Sequence, residues 1–219
     1  MTYLQIVNAV LARLRETSVA SVTTTSYSAL IGKFVNDAKR QVESAWNWDA
    51  LRTIKTVNTS AGVSNYTVTG SGKFPKGIKL NDSTNQAELY NAPLQWILDQ
   101  QQLTTTTNAQ PTYYAWNGTD GTDSKIEMFP TPNGAYSIKC NLYVPQADLS
   151  ADSDVLTIPY EAVEMGAYAR ALVERGEDGG LASCEAFAIF KGILADQIAI
   201  ESSRYVENNC WVAVKWDSN

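Results

Sequence analysis

The sequence predicts an α+β fold in which a helical bundle, built from both ends of the chain, carries an inserted all-β domain that is sandwich-like or barrel-like. Apolar residues recur at helical spacing in the first fifty residues and again after Pro159, whereas the stretch between them alternates as β-strands do. The length of 219 residues and the 44% hydrophobic content are enough for one large domain or two small ones. We expect four segments, namely N-terminal bundle helices over 1–50, the β domain over 51–158, C-terminal bundle helices over 159–205 and an extended tail over 206–219.

Two helices are predicted in the N-terminal segment. The first has Thr2 as its N-cap and the second begins at a cap on Ser26 or Ser28 and ends near Trp46. Their apolar faces are formed by two sets, Leu4, Val7, Leu11 and Leu14 in the first helix and Leu30, Phe34, Ala38, Val42 and Ala45 in the second.

Six or seven short strands are predicted in the middle segment, with one short helix from Pro93 to Leu103. A run from Thr53 to Thr59 and the residues around Tyr66 and Val68 suggest a hairpin. Further strands are expected around Ile78 to Leu80, Ala87 to Tyr90, Tyr113 to Ala115, Lys125 to Phe129, Tyr136 to Val144 and Val155 to Ile158.

Two more helices are predicted after Pro159, which favours a first helical turn. The first ends at Gly176, and the second spans about Leu181 to Arg204. Because the second helix is apolar on more than one side, we expect it to be buried by several neighbours and to pack on the N-terminal helices.

Composition argues against an enzyme. The chain has no histidine, which removes the commonest general base and excludes Ser-His-Asp and Cys-His systems. Its three cysteines stand in no zinc spacing, and no phosphate-binding glycine motif is present, so we expect no cofactor. The net charge of −6 disfavours tight binding of nucleic acid. No signal peptide or apolar stretch of about 20 residues is found, so we expect a soluble protein made in the cytoplasm without membrane contact.

Three acidic clusters could carry chemistry, and for each we favour a structural role. The cluster Asp148, Asp152 and Asp154 could bind a hard cation, but it lacks the EF-hand spacing and suits a loop whose side chains satisfy backbone groups. A second set, Asp120, Asp123 and Glu127, suits a polar hairpin tip better than a metal site. The third, Glu177 and Asp178, precedes a helix, where the helix dipole favours negative charge.

The six tryptophans, Trp46, Trp48, Trp96, Trp116, Trp211 and Trp216, are more than a core of this size needs, so we expect some to lie at interfaces. Trp96 or Trp116 could instead form a carbohydrate platform. The tail contains the β-prone run Trp211 to Trp216. This run either packs on its own chain or adds as a strand to a neighbouring subunit or partner.

Three stretches, 34–48, 144–154 and 169–180, resemble in order and spacing the head-to-tail adaptor proteins of tailed bacteriophages, a group that includes tail tubular protein A of short-tailed phages. They read FVNDAKRQVESAWNW, VPQADLSADSD and ARALVERGEDGG. The resemblance covers most of residues 1–205 in layout.

The resemblance implies a non-enzymatic virion protein in the neck or tail, synthesised in the host bacterial cytoplasm. It implies a ring of twelve copies that joins the portal protein to the tail nozzle or next tail protein and continues the DNA channel used in ejection. The acidic balance suits a lumen through which DNA passes without specific binding.

Two hypotheses follow for particular residues. Four tail residues, Trp211, Val212, Val214 and Trp216, would dock on the portal or a subunit, and Glu201 and Glu207 would line the channel. The alternatives are a completion or terminator protein of the tail tube, a carbohydrate-binding β module of a host-attachment protein, and a calcium-assisted hydrolase at the Asp148 loop.

Overall fold

Five helices and seven strands make up the described part of this chain in a computed structural model, which covers residues 1–103, 107–176 and 181–204. The helices are α1 (Tyr3–Arg13), α2 (Ser26–Ala45), α3 (Leu94–Leu103), α4 (Tyr160–Arg175) and α5 (Leu181–Ser202). The strands are β1 (Arg52–Asn58), β2 (Asn65–Thr67), β3 (Lys76–Asp82), β4 (Ala87–Asn91), β5 (Tyr113–Thr119), β6 (Ser124–Phe129) and β7 (Ser137–Tyr143).

The predicted fold class, a helical bundle from both chain ends with an inserted all-β domain, is wrong. The chain is a mixed α/β structure whose strands form one nearly closed, barrel-like sheet in the order β1-β7-β3-β4-β5-β6-β2. One helix, α3, lies within the β region and connects β4 to β5, which pair in parallel. A parallel pair requires a crossover connection, and local periodicity does not reveal which strands such a helix will join.

The sheet encloses its own apolar core. Its most regular strand, β7, buries Ile138, Cys140 and Leu142 on one face, as the alternation predicted. The remaining buried members of this core are Val57, Val68, Leu80, Leu89, Tyr114, Ile126 and Met128.

Strand pairing follows the prediction only where partners are close in sequence. The antiparallel pairs β3–β4 and β5–β6 are as expected. The hairpin predicted from β1 and β2 does not form, because β1 pairs with β7 and β2 with β6, at opposite ends of the strand order. The strand expected over Val155 to Ile158 is reduced to an isolated bridge between Val155 and Thr2.

The other four helices pack beside the sheet around a second core, with α4 contacting α1, α2 and α5. The caps explain where they begin and end. Thr2 caps α1 as predicted, whereas α2 is capped by Thr25, with Ser28 completing the capping box in place of acting as the cap itself. Pro159 precedes α4, and Gly176 ends it in the left-handed conformation, as the sequence indicated.

The helix α5 differs from its prediction on one side. Its inner side packs mainly on α4, but its outer side is exposed within the described chain. None of the helices in the described ranges is both long and apolar enough to cross a membrane.

Candidate functional site

Two of the three motif stretches meet in one structural clamp, formed by α2 and the segment 145–154. The side-chain amide of Asn36 donates from Nδ2 to the Leu149 carbonyl at 3.0 Å and accepts from the Leu149 N–H at 2.8 Å. One turn later, Lys39 Nζ donates to the Gln146 carbonyl at 2.6 Å. These bonds fasten the segment along the helix, so the spacing of the two stretches reflects a fold requirement.

The centre of the clamp is a buried ion pair. Lys39 is fully buried, and its Nζ lies 3.2 Å from Glu43 Oε2, one helical turn away. Glu43 also accepts from the Gln146 N–H at 3.1 Å. Burial raises the pKa of Glu43, and the positive charge and hydrogen bonds of Lys39 act in the opposite direction. The charged groups of Lys39 and Glu43 are therefore both engaged by contacts inside the protein.

The Asp148–Asp154 cluster is engaged by backbone N–H groups and by one arginine. The Asp148 carboxylate pairs with Arg40 at the surface, and Asp152 Oδ1 accepts from the Val22 N–H at 3.0 Å. Asp154 accepts the N–H groups of Ser150 and Ala151, each at 2.8 Å, and these bonds lower its pKa. These backbone contacts match the structural role that the sequence favours for this loop.

The second acidic set is divided between two turns and a buried position. Asp123 accepts the N–H groups of Gly70 and Gly72, each at 2.9 Å. Backbone N–H groups of Asp123 and Thr122 lower the pKa of Asp120. Within residues 1–103, 107–176 and 181–204, no group of three or more acidic or cysteine side chains is arranged to hold a metal ion.

Glu127 is a buried carboxylate held entirely by neutral donors. It is 4% exposed and accepts from Asn65 Nδ2 at 2.7 Å, Asn117 Nδ2 at 2.9 Å and Gln101 Nε2 at 3.1 Å, as well as from the Ser64 hydroxyl. Burial raises its pKa, but these hydrogen bonds outweigh burial and the pKa is lowered overall. The group ties α3, β2, β5 and β6 together. The sequence placed Glu127 at a polar hairpin tip, and its buried role could not be predicted because its donors come from distant segments.

The third motif stretch anchors the corner after α4. Arg175 donates from Nε to the Tyr27 hydroxyl at 2.9 Å and from Nη1 to the Leu14 carbonyl at 3.2 Å, and it pairs with Glu16. Glu177 and Asp178, for which a capping role was predicted, lie outside the described residues.

Four of the six tryptophans are described, and they differ in exposure. Trp48 is buried and donates from Nε1 to the Val42 carbonyl at 2.7 Å, and Trp46 is half-buried. Trp116 lines a cavity of about 330 Å³ together with Phe74, which is 82% exposed. Trp96 is 38% exposed and stacks edge-on against Tyr113 and Phe129. With Tyr90 these rings form a surface cluster that we call the aromatic patch (Tyr90, Trp96, Tyr113 and Phe129).

The outer side of α5 exposes several apolar residues. Its exposed apolar residues lie on one side of the helix and include large and small side chains; we call them the outer α5 face: Leu181, Ala188, Ile189, Ala195, Ala199 and Ile200. The large members, Leu181, Ile189 and Ile200, are 52–74% exposed. Exposed Glu185 and Asp196 lie on the same side, so the apolar residues are interleaved with charge, and an exposed surface of this mixed kind suits a protein contact.

The predicted site residues fall mostly at or beyond the end of the described chain. Glu201 is 7% exposed, accepts from the Asp49 N–H at 2.8 Å and pairs with Arg204. Glu207 and the four tail residues Trp211, Val212, Val214 and Trp216 lie outside the described residues. The channel-lining and docking roles therefore stay predictions.

Comparison with known proteins gives one family. A family model described as SU10 adaptor protein matches residues 1–209. It represents phage adaptors, so the resemblance seen in the sequence is confirmed at that level, and the match supports a structural role in a phage particle. No curated protein matches the chain.

Proposed function

We propose, on the premise that this chain belongs to the SU10 adaptor protein family, that it forms a ring that joins the portal to the tail of a bacteriophage and continues the DNA channel. The ring would contain twelve subunits, made in the host bacterial cytoplasm and built into the neck of the virion, as in tail tubular protein A of short-tailed phages. The observation that carries this proposal is the outer α5 face, which leaves an apolar helix half-covered in the single chain.

The physical argument concerns what a single subunit leaves uncovered. Large apolar side chains on the outside of a helix are stable when a neighbour covers them. Here Phe190 on the inner side is buried, while Ile189 beside it is 52% exposed. A head-to-tail ring buries such a face against a different surface of the next subunit and closes on itself. The small residues Ala188, Ala195 and Ala199 would let the neighbour approach closely.

Two further contacts are assigned within this proposal. The tail residues Trp211, Val212, Val214 and Trp216 would form the docking arm for the portal, and the aromatic patch would contact the nozzle or next tail protein, since aromatic residues anchor interfaces. Glu207 would contribute negative charge near the channel, whereas Glu201 is buried and paired with Arg204 in the single chain and is not assigned this role. With a net charge of −6 per subunit, the ring would repel DNA phosphates and allow passage without specific binding.

The first experiment is a measurement of mass in solution, for the chain alone and mixed with the portal ring of the same phage, with negative-stain images of the mixture. We expect rings of about twelve copies, formed either alone or only on the portal. A chain that stays monomeric or trimeric and does not bind the portal would contradict the proposal.

The second candidate function is carbohydrate binding, and the aromatic patch favours it, because Trp96 and Tyr113 are partly exposed on the sheet side. Their rings pack edge to face, however, so each covers part of its neighbour. A glycan array with the full chain tests this function. Binding that is lost in Trp96→Ala would favour a host-attachment module over a connector.

A further inference from the structure

The strand β1 has an unpaired edge. Backbone bonds join Leu51 to Val144 and Thr59 to Tyr136 across the β1–β7 ladder. Alternate residues of an antiparallel pair point their N–H and C=O groups in opposite directions. Ile54, Thr56 and Asn58 therefore direct these groups away from β7, and among the described residues nothing bonds them.

This edge is long and exposed. It extends over a seven-residue strand that pairs on one side only, with β7, and stands at one end of the strand order of the described chain. The outward-facing side chain of Ile54 beside this edge is 61% exposed. Natural proteins cover or blunt such edges, because an open edge recruits another strand. We therefore expect another segment of polypeptide to pair with the free N–H and C=O groups of β1.

The end of α5 lies at the beginning of β1. Glu201 Oε1 accepts from the Asp49 N–H, three residues before β1, and Arg204 and Ala50 line one cavity of about 260 Å³. A second cavity of about 310 Å³ shares Ala50 and Thr157 with the first and extends to Lys55 on β1. The two cavities adjoin at Ala50 and Thr157, so the last described residue lies close to the beginning of β1.

The chain beyond Arg204 has the length and composition to fill this edge. Fifteen residues follow, which span about 50 Å when extended at about 3.3 Å per residue, against about 23 Å for β1. Residues 211–216 read Trp-Val-Ala-Val-Lys-Trp, and β-branched and aromatic residues favour strands.

We propose that residues 211–216 add to the free edge of β1 in the same chain, as a strand parallel to β1. The parallel direction places Cys210 beside Arg52, within reach of the connection from Arg204. The antiparallel direction would place Cys210 beside Asn58. Residues 49–51 form a 3-10 turn, so Asn58 lies up to about 27 Å from Asp49, whereas the six steps from Arg204 to Cys210 reach only about 22 Å.

This docking does not depend on the ring or on the portal, since it concerns the subunit before assembly. It adds a step to the proposed function, because a partner that binds the tail must first release it from β1.

Disulfide trapping in the full-length chain tests the proposal. The background is Cys184→Ser, which removes the exposed thiol, while Cys140 stays because burial raises its pKa to about 12 and suppresses its thiolate. Arg52→Cys should form a bond to the natural Cys210 within one chain, at least fivefold more often than Ile78→Cys on β3. Intact mass and non-reduced peptide maps measure both.

Three results would overturn the proposal: equal trapping in the two variants, trapping that favours Asn58→Cys, or disulfide-linked dimers, which would make the occupant a second copy. Hydrogen exchange gives an independent measurement without new cysteines. The amides of Ile54 and Thr56 should lose at least tenfold in protection when Val212 and Val214 are both changed to Pro, which removes their N–H donors. Ser218→Pro is the matched control, and equal protection in all three chains would contradict the docking.

Discussion

At the scale of single residues, the buried pair Lys39–Glu43 binds two distant segments through groups that are costly to bury. Each charge is tolerated because the other is 3.2 Å away and because Gln146 offers its carbonyl to Lys39 and its N–H to Glu43. Loss of one partner leaves an uncompensated charge, which costs more than the pair itself contributes.

We therefore expect Lys39→Met to lower the free energy of unfolding by about 3–5 kcal/mol. The matched control is Arg40→Met, on the next residue of α2, whose ion pairs are exposed; it should cost less than about 1 kcal/mol. Urea denaturation of both variants measures the difference. Equal losses of unfolding free energy in the two variants would mean that burial of the pair is unimportant. The double variant Lys39→Met/Glu43→Leu should recover part of the stability lost in Lys39→Met, because it leaves no unpaired buried charge.

A second residue-scale prediction concerns acid stability. Because the folded-state pKa of Glu127 is lowered, its ionised form adds stability above the unfolded-state pKa of about 4.3, and this stability is lost as pH falls through the lower folded-state value. Glu43 contributes the opposite slope, since its raised folded-state pKa reduces stability as pH rises through the interval from about 4.3 to the raised value.

Glu127→Gln should cost about 1–3 kcal/mol at pH 7, because an amide cannot accept from four donors at once. The cost should shrink as pH falls below about 4.3, because the unfolded-state carboxyl then takes up a proton and the advantage of the ionised folded form declines. Thermal unfolding from pH 3 to 7 measures the two curves. If the stability of wild type and of Glu127→Gln changed in parallel with pH, Glu127 would not be the source of the pH-dependent stability. The control is Glu88→Gln, a change at an exposed position on β4.

At the scale of elements, two helical glycines should respond in opposite ways to the same substitution. A Cβ on Gly32 of α2 would lie 2.3 Å from the Tyr3 hydroxyl oxygen and 2.8 Å from Val22 Cγ1, so α1 and α2 could not keep their spacing. A Cβ on Gly192 of α5 meets nothing within 4 Å.

We expect Gly32→Ala to destabilise the isolated chain by about 1–2 kcal/mol, because overpacking outweighs the gain in helix propensity. Gly192→Ala should stabilise it by about 0.5–1 kcal/mol, since only the propensity changes. Chemical denaturation of wild type and of each variant measures whether the free energy of unfolding falls or rises. A rise in the free energy of unfolding for Gly32→Ala would mean that α1 and α2 can move apart at little cost.

Local signals explain how much of the elements could be predicted. Thr2, Pro159 and Gly176 each act within one helical turn, so the beginnings and ends of α1 and α4 follow from sequence. The partners of β1 and β2 could not be predicted, because pairing with β7 and β6 joins residues 58 or more positions apart. The fold class failed for the same reason.

The candidate site was predictable to a similar extent. The backbone role of Asp154 follows from nearby residues, and the i,i+4 spacing of Lys39 and Glu43 allows an ion pair. Their burial does not follow, since segment 145–154 arrives from a hundred residues away. The apolar residues of the outer α5 face are apparent in the sequence, but the sequence predicted that neighbours in the same chain would bury them, whereas they are exposed.

At the scale of the whole molecule, charge and shape lead to separate predictions. A chain with net charge −6 should show no binding to duplex DNA at 150 mM salt, measured by fluorescence anisotropy, because phosphate contacts require clustered cations. The assembled ring should behave in the same way, since assembly multiplies the charge. Salt-sensitive binding by the ring would contradict a non-adhesive channel.

The last prediction concerns the outer α5 face and separates assembly from folding. Ile189→Asp should weaken subunit association about 30-fold or more, which corresponds to an interface loss of about 2 kcal/mol, because it places a charge in an apolar contact. Since Ile189 is 52% exposed in the single chain, the variant should keep the melting temperature of the monomer within a few degrees. Leu103→Asp, at a 79% exposed position on α3, is the matched control and should assemble normally. Mass measurements with and without the portal ring read out both variants. If Ile189→Asp forms rings as readily as the control, the helix face is not the contact, and the subunits must meet through the sheet instead.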